Sequence, residues 1–119
     1  TQTLRDIMPM DVAKELTFTG RILNGEQAKE VGLVTRVADD PFAEAMALAE
    51  EIAGKNPDAV RAGKALYEQA WHADARTGLE LEAALQAELI GTANQIEAVK
   101  ANFEKRAPSF QPASRTERV

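Results

Sequence analysis

The sequence predicts a mainly α-helical chain with one or two short strands, on three observations. Start and stop residues recur at helix-length intervals: Asn24 before Gly32, Asp40-Pro41 before Gly54, Asn56-Pro57, Thr77-x-x-Glu80 before Gly91, and Asn94-x-x-Glu97 before Pro108. Between them, apolar residues fall three and four apart, the spacing of one buried helical face. Only Leu33 to Val37, Leu-Val-Thr-Arg-Val, is β-branched and partly alternating in the way of a strand.

Each element follows from its residues. Val12 and Leu16 mark a first helix that Gly20 stops, as a left-handed residue past a helix end. Asn24 caps a second, with Gln27 in the capping-box position. That helix has about two turns before Gly32, too few to be stable alone in water, so it must dock on a larger body. Asp40 and Pro41 are N-cap and first residue of a helix to Gly54, with Phe42, Ala45, Leu48, Ala49 and Ile52 on its buried face. Asn56-Pro57 starts the next, to about Trp71, with Val60, Tyr67 and Trp71 along one side. Gly63 inside it costs about 1 kcal/mol against alanine, which implies close helix packing there. Thr77-x-x-Glu80 reads as a capping box opening a helix through Leu81, Leu85 and Leu89. Asn94-x-x-Glu97 opens the last, with Ile96, Val99 and Phe103 on one face. From Gln111 to Val119 the chain is polar and aperiodic, and reads as a disordered tail.

Composition narrows the function classes. A domain of 119 residues buries roughly two-thirds of its unfolded surface. Hydrophobic residues make up 45% but aromatics only 5%, which favours packed helices over an aromatic-lined cavity. A net charge of −5 argues against nucleic acid as a partner. The absence of cysteine excludes disulfides and thiol nucleophiles and fits a cytoplasmic protein. No run approaches the roughly 18 apolar residues that cross a bilayer, so no membrane partner is expected. With one histidine, no cysteine and no calcium-loop spacing, no metal site is expected either.

Other chemistry-bearing residues read as ordinary surface. Glu26 and Glu30, Glu50 and Glu51, and Glu80 and Glu82 fall on polar helix faces, the usual place of carboxylates. His72 reads as a partly exposed helix-end histidine. Gly63-Lys64 lacks the glycine-rich loop of a phosphate cradle. Ser109 and Ser114 have no adjacent base.

Two blocks carry a family resemblance. Thr19-Gly20-Arg21, then Gln27-Ala28-Lys29-Glu30-Val31-Gly32-Leu33-Val34-Thr35-Arg36-Val37, resembles the "TG … A … GLV … V" signature of the crotonase superfamily, the enoyl-CoA hydratases and isomerases. Glu97 to Phe110 resembles its closing "EG-x-x-AF-x-EKR-x-P-x-F". The resemblance runs from Thr1-Gln2, matching the end of the family's "G-T-Q" stretch, to about Phe110. It implies the C-terminal helical part of a crotonase-type α/β fold, a ββα spiral. Residues 1–38 would be the end of the core, 39–110 a helical oligomerisation region, and 111–119 the tail. Partners implied are an acyl-CoA thioester in the intact protein and copies of itself, as a trimer or hexamer. Coenzyme A enters as part of the substrate, and no separate cofactor is implied.

The family's oxyanion-hole amides and catalytic carboxylates precede the "G-T-Q" stretch, so no catalytic residue carries over to this chain. The lysine of "EKR", which meets the adenine and phosphate end of coenzyme A, corresponds to Lys105, with Lys100 and Arg106 nearby. The family's aromatic before "x-EKR" is Asn102 here. Phe103 is displaced by one residue and so turned by about 100°, an orientation that would carry it toward the core. The implied function is hydration of a 2-enoyl-CoA, with double-bond isomerisation as the related alternative. The rivals are a non-catalytic helical oligomerisation module and an acyl-CoA-binding fragment.

Overall fold

The computed structural model describes residues 1–113, and the regular structure among them is entirely helical. The chain divides into two units, Thr1–Ala45 and a second beginning at Met46. A 3-10 turn at Leu4–Asp6 opens the first, followed by α1 (Met10–Thr19), α2 (Gly25–Glu30) and the start of α3 (Pro41–Ala53). The second contains the rest of α3, then α4 (Pro57–Ala70), α5 (Ala75–Leu89) and α6 (Ala93–Glu104).

In the first unit the start and stop residues act as their chemistry dictates. Gly20 is left-handed at φ 61° and donates its N–H to Leu16 O, closing α1. Asn24 and Gln27 form a complete capping box: the Gln27 N–H donates to Asn24 Oδ1 at 2.9 Å, and the Asn24 N–H donates to Gln27 Oε1 at 3.0 Å. The two-turn α2 is docked, as its length requires. A β-carbon on Gly32 would stand 2.2 Å from Ile7 O, so the end of α2 lies directly against the backbone next to the buried Met8. At the other end of α2, Gly25 lies against the Val37 side chain.

Leu33 to Val37 is not a strand. A strand requires a ladder partner, and none exists for it among the described residues. The segment instead crosses from α2 to α3 in irregular conformation, with Arg36 paired to Glu44 at 3.1 Å.

In the second unit α4 packs against α5 and α6. Leu81, Leu85 and Leu89 line the half-buried side of α5. The close approach of α4 and α5 runs through Gly78, whose β-carbon would meet Ala70 Cβ at 3.7 Å, and not through Gly63, which has nothing within 4 Å. Two caps also differ from expectation. Asp74, not Thr77, caps α5, accepting from the Arg76 and Thr77 N–H groups, while the Thr77 hydroxyl donates to Asp74 Oδ2 at 2.7 Å. An aspartate is as strong an N-cap as threonine and lies one turn earlier, so the helix starts there. Similarly Thr92, not Asn94, caps α6, which frees Asn94 for another role.

Several faces predicted as buried are open. Phe42 is 76% exposed, Tyr67 and Trp71 65% each, and Phe103 81%. The 100° turn that displaces Phe103 carries it to an uncovered face and not into the core. Of the residues read as a disordered tail, 114–119, including Ser114, lie outside those described. Gln111 is held by Asn94 through both of its backbone groups.

Candidate functional site

The end of α6 is an ordered clasp that leaves Lys105 exposed. The Arg106 N–H donates to Ala101 O at 3.0 Å and the Lys105 N–H to Asn102 O at 3.3 Å. This paired closure places Lys105 in the left-handed region, φ 53° and ψ 40°. The same closure ends α2, where Leu33 N–H donates to Ala28 O and Gly32 N–H to Lys29 O, but there the left-handed residue is glycine. Among the described residues Lys105 is the one non-glycine residue with positive φ. A β-carbon in that conformation costs roughly 1 kcal/mol.

Arg106 turns back onto α6. Its two terminal nitrogens donate to the two Glu97 oxygens at 2.5 and 2.9 Å, a bidentate, charge-assisted pair. Its Nε donates to Glu104 Oε2 at 2.6 Å. Glu97 Oε1 also accepts the Ser109 N–H at 2.7 Å. Three residues earlier on the same helix face, the buried Asn94 exchanges two hydrogen bonds with the Gln111 backbone, at 2.8 and 3.1 Å. Its amide also donates to Asp58 Oδ2 on α4 at 2.7 Å. Residues 106–111 therefore run back along α6 as a strap, pinned at Glu97 and Asn94.

This geometry sets the electrostatics. Hydrogen bonds from Arg106 first, then from the Ser109 N–H, hold the Glu97 carboxyl down to about 2 from its ordinary 4.5. Glu97 and then Glu104 push the Arg106 guanidinium up. Glu97 is thus a fixed carboxylate near neutral pH and no proton carrier. A depressed carboxyl pKa contributes stability that is complete above the unfolded value and lost as pH falls through the folded one. The urea midpoint of the protein should therefore drop between about pH 4.5 and 2. In Glu97→Gln that part of the acid dependence should disappear; an unchanged profile would remove Glu97 as its source.

The residues singled out by sequence are only partly brought together. Lys105 is exposed and, among the described residues, forms no ion pair. Lys100 pairs with Glu104 at 3.9 Å, and Arg106 is engaged in the clasp. The six glutamates of the three acidic pairs are all exposed, and His72 lies exposed just past α4. No group of three His, Cys, Asp or Glu among the described residues could hold a metal ion, and none of the described helices is long and apolar enough to cross a membrane. The Asn94–Gln111 pairing has no mark in the sequence, because Asn94 also satisfies the N-cap pattern and Gln111 begins a polar, aperiodic stretch. A rigidly held backbone carrying an exposed cation can bind a phosphate; it offers no acid–base pair.

Known proteins share this architecture. The family model described as enoyl-CoA hydratase/isomerase matches residues 1–113. Over 116 residues the chain is 40% identical to the mitochondrial enoyl-CoA hydratase domain-containing protein 2 of Mus musculus, covering 92% of this chain and 39% of that protein. It is 37% identical over 117 residues to the mitochondrial methylglutaconyl-CoA hydratase of the same species, covering 93% and 37%. The crystal structure of an enoyl-CoA hydratase from Bacillus anthracis superposes with a TM-score of 0.85 at 35% identity, covering 92% of this chain and 43% of that one. The chain spans about two-fifths of the length of these relatives.

Proposed function

The chain belongs to the enoyl-CoA hydratase/isomerase family, and from that premise we propose that it is the C-terminal portion of an enzyme that hydrates 2-enoyl-CoA thioesters. The observation that carries this reading is the family match over residues 1–113, together with relatives named as hydratases. Hydration drives charge onto the thioester oxygen, which needs paired N–H donors, and moves protons through carboxylates. In this chain Glu97 is committed to Arg106, and the glutamate pairs stand on exposed helix faces. On this reading the chemistry belongs to residues outside this chain, and the chain alone is expected to be inactive.

Its own contributions are binding and assembly. Lys105 meets the phosphate-bearing end of coenzyme A, which enters as part of the substrate. The open apolar faces bearing Tyr67, Trp71 and Phe103 are covered in a homo-oligomer, a trimer or hexamer. The compartment is aqueous, cytoplasmic or mitochondrial; the two mouse relatives are named as mitochondrial. Isomerisation of an acyl-CoA double bond is the second reading, favoured by the family's own description, which names both reactions.

Turnover of a 2-enoyl-CoA by the intact protein and by residues 1–119 alone tests the assignment. Water addition by the intact protein and none by the chain is expected. Double-bond migration without water addition would replace hydratase by isomerase, and turnover by the chain alone would place the chemistry within it.

A further inference from the structure

The end of α6 places a lysine where the sequence elsewhere uses glycine. Left-handed residues at Gly20, Gly32 and Gly91 lie at or just past the ends of α1, α2 and α5. The paired closure after α2, chemically the same as that after α6, has Gly32 in the place of Lys105. Glycine would relieve the backbone at that position, so the local fold alone gives no reason for a lysine. A non-glycine residue persists in such a conformation only when its surroundings over-determine it. Here the surroundings are the clasp. Arg106, the next residue, is held by both Glu97 oxygens and by Glu104, and Ser109 is held by Glu97. If Lys105 relaxed to an ordinary helical or extended conformation, the chain after it would swing Arg106 and Ser109 away from Glu97.

We infer that Glu97 is a positioning residue for coenzyme A binding: through Arg106 and the Ser109 amide it locks Lys105 in its left-handed conformation and so fixes where the lysine cation is presented. This rests on the reading of Lys105 as a coenzyme A contact. Glu97 itself touches no ligand. The strained lysine is retained because its charge is needed at that point, at the expense of local stability.

A double-mutant cycle in the intact protein tests this, read by calorimetric titration with coenzyme A. Lys105→Ala should weaken binding roughly fivefold, the loss of one exposed charge contact. Glu97→Gln should weaken it roughly threefold when Lys105 is present, and not at all in the Lys105→Ala background, because it acts only through the lysine. A purely structural role for Glu97 would give the same change in both backgrounds, which overturns the inference. Wild-type affinity in Glu97→Gln, with weakened Lys105→Ala, overturns it too but leaves the lysine contact standing. Unchanged affinity in Lys105→Ala removes the contact and the inference with it.

Lys105→Gly provides a readout independent of whether Glu97 variants fold. Its unfolding equilibrium constant should fall roughly threefold as strain is relieved, while coenzyme A affinity falls as in Lys105→Ala. A glycine variant no more stable than wild type would show that no strain is held there and would overturn the inference.

Discussion

Gly32→Ala is expected to destabilise the first unit by about 3 kcal/mol, the largest effect of any glycine-to-alanine change at the seven glycines. Two physical terms add. Gly32 sits at φ 83°, where a β-carbon costs roughly 1 kcal/mol or more. The new methyl would also stand 2.2 Å from Ile7 O, a backbone atom that cannot rotate away. Relieving that overlap requires α2 to lift from the Leu4–Met8 turn, an overpacking penalty of about 2 kcal/mol. Gly91→Ala is the internal control. It has the same φ of 83° but open space where the methyl would go, so only the conformational part, about 1 kcal/mol, should appear. Urea unfolding of both variants measures the difference, and equal losses would show that the contact with Ile7 does not hold α2 in place.

Asn94→Ala is expected to lose about 2–3 kcal/mol, although it removes only a small polar side chain. Asn94 is 4% exposed, and its amide joins three parts of the second unit: α6 itself, Asp58 at the start of α4, and Gln111 on the returning strap. Truncation leaves the Gln111 N–H and carbonyl without their side-chain partner and takes a donor from the Asp58 carboxylate. Asn94→Asp separates the contributions. It keeps an acceptor for the Gln111 N–H but sets a second carboxylate against Asp58, so it should be at least as harmful at neutral pH and milder at low pH. Thermal midpoints of the two variants at both pH values provide the comparison. A loss below about 0.5 kcal/mol for Asn94→Ala, the range of an ordinary surface change, would mean the strap is not pinned through this residue.

Much of the helical order was legible because local chemistry decides it. The Asn24–Gln27 box, the Asp40-Pro41 start and the stops at Gly20 and Gly32 depend on residues within one turn of each other, and the structure places all of them as the pattern reads. Local pattern and structure part where two local rules compete or where tertiary pairing decides. Asp74 and Thr77 both satisfy a cap rule, and the earlier residue prevails because its carboxylate reaches two free N–H groups. Leu33 to Val37 has strand composition, but strand formation depends on a partner that periodicity within one segment cannot supply.

The site divides along the same line. Lys105 was legible only through the family motif, since nothing in its local pattern distinguishes it from other helix-end lysines. Its left-handed backbone and the pairing of Glu97 with Arg106, nine residues apart, arise from the chain folding back on itself. A sequence signal for that fold-back did exist: Pro108 forbids continuation of the helix, and Glu97 and Asn94 share the face to which the strap returns. Phe103 shows the converse. Its rotation from the family's aromatic position was readable, but which surfaces are covered was not, and it is 81% exposed.

The central claim is that this chain contributes a coenzyme A contact through Lys105 while the chemistry belongs elsewhere in the protein. Steady-state kinetics of Lys105→Ala in the intact protein, with a 2-enoyl-CoA, test it most directly. KM should rise roughly fivefold, the loss of about 1 kcal/mol of binding that is equal in ground and transition states, with kcat unchanged. An unchanged KM, or a fall in kcat at constant KM, would contradict it.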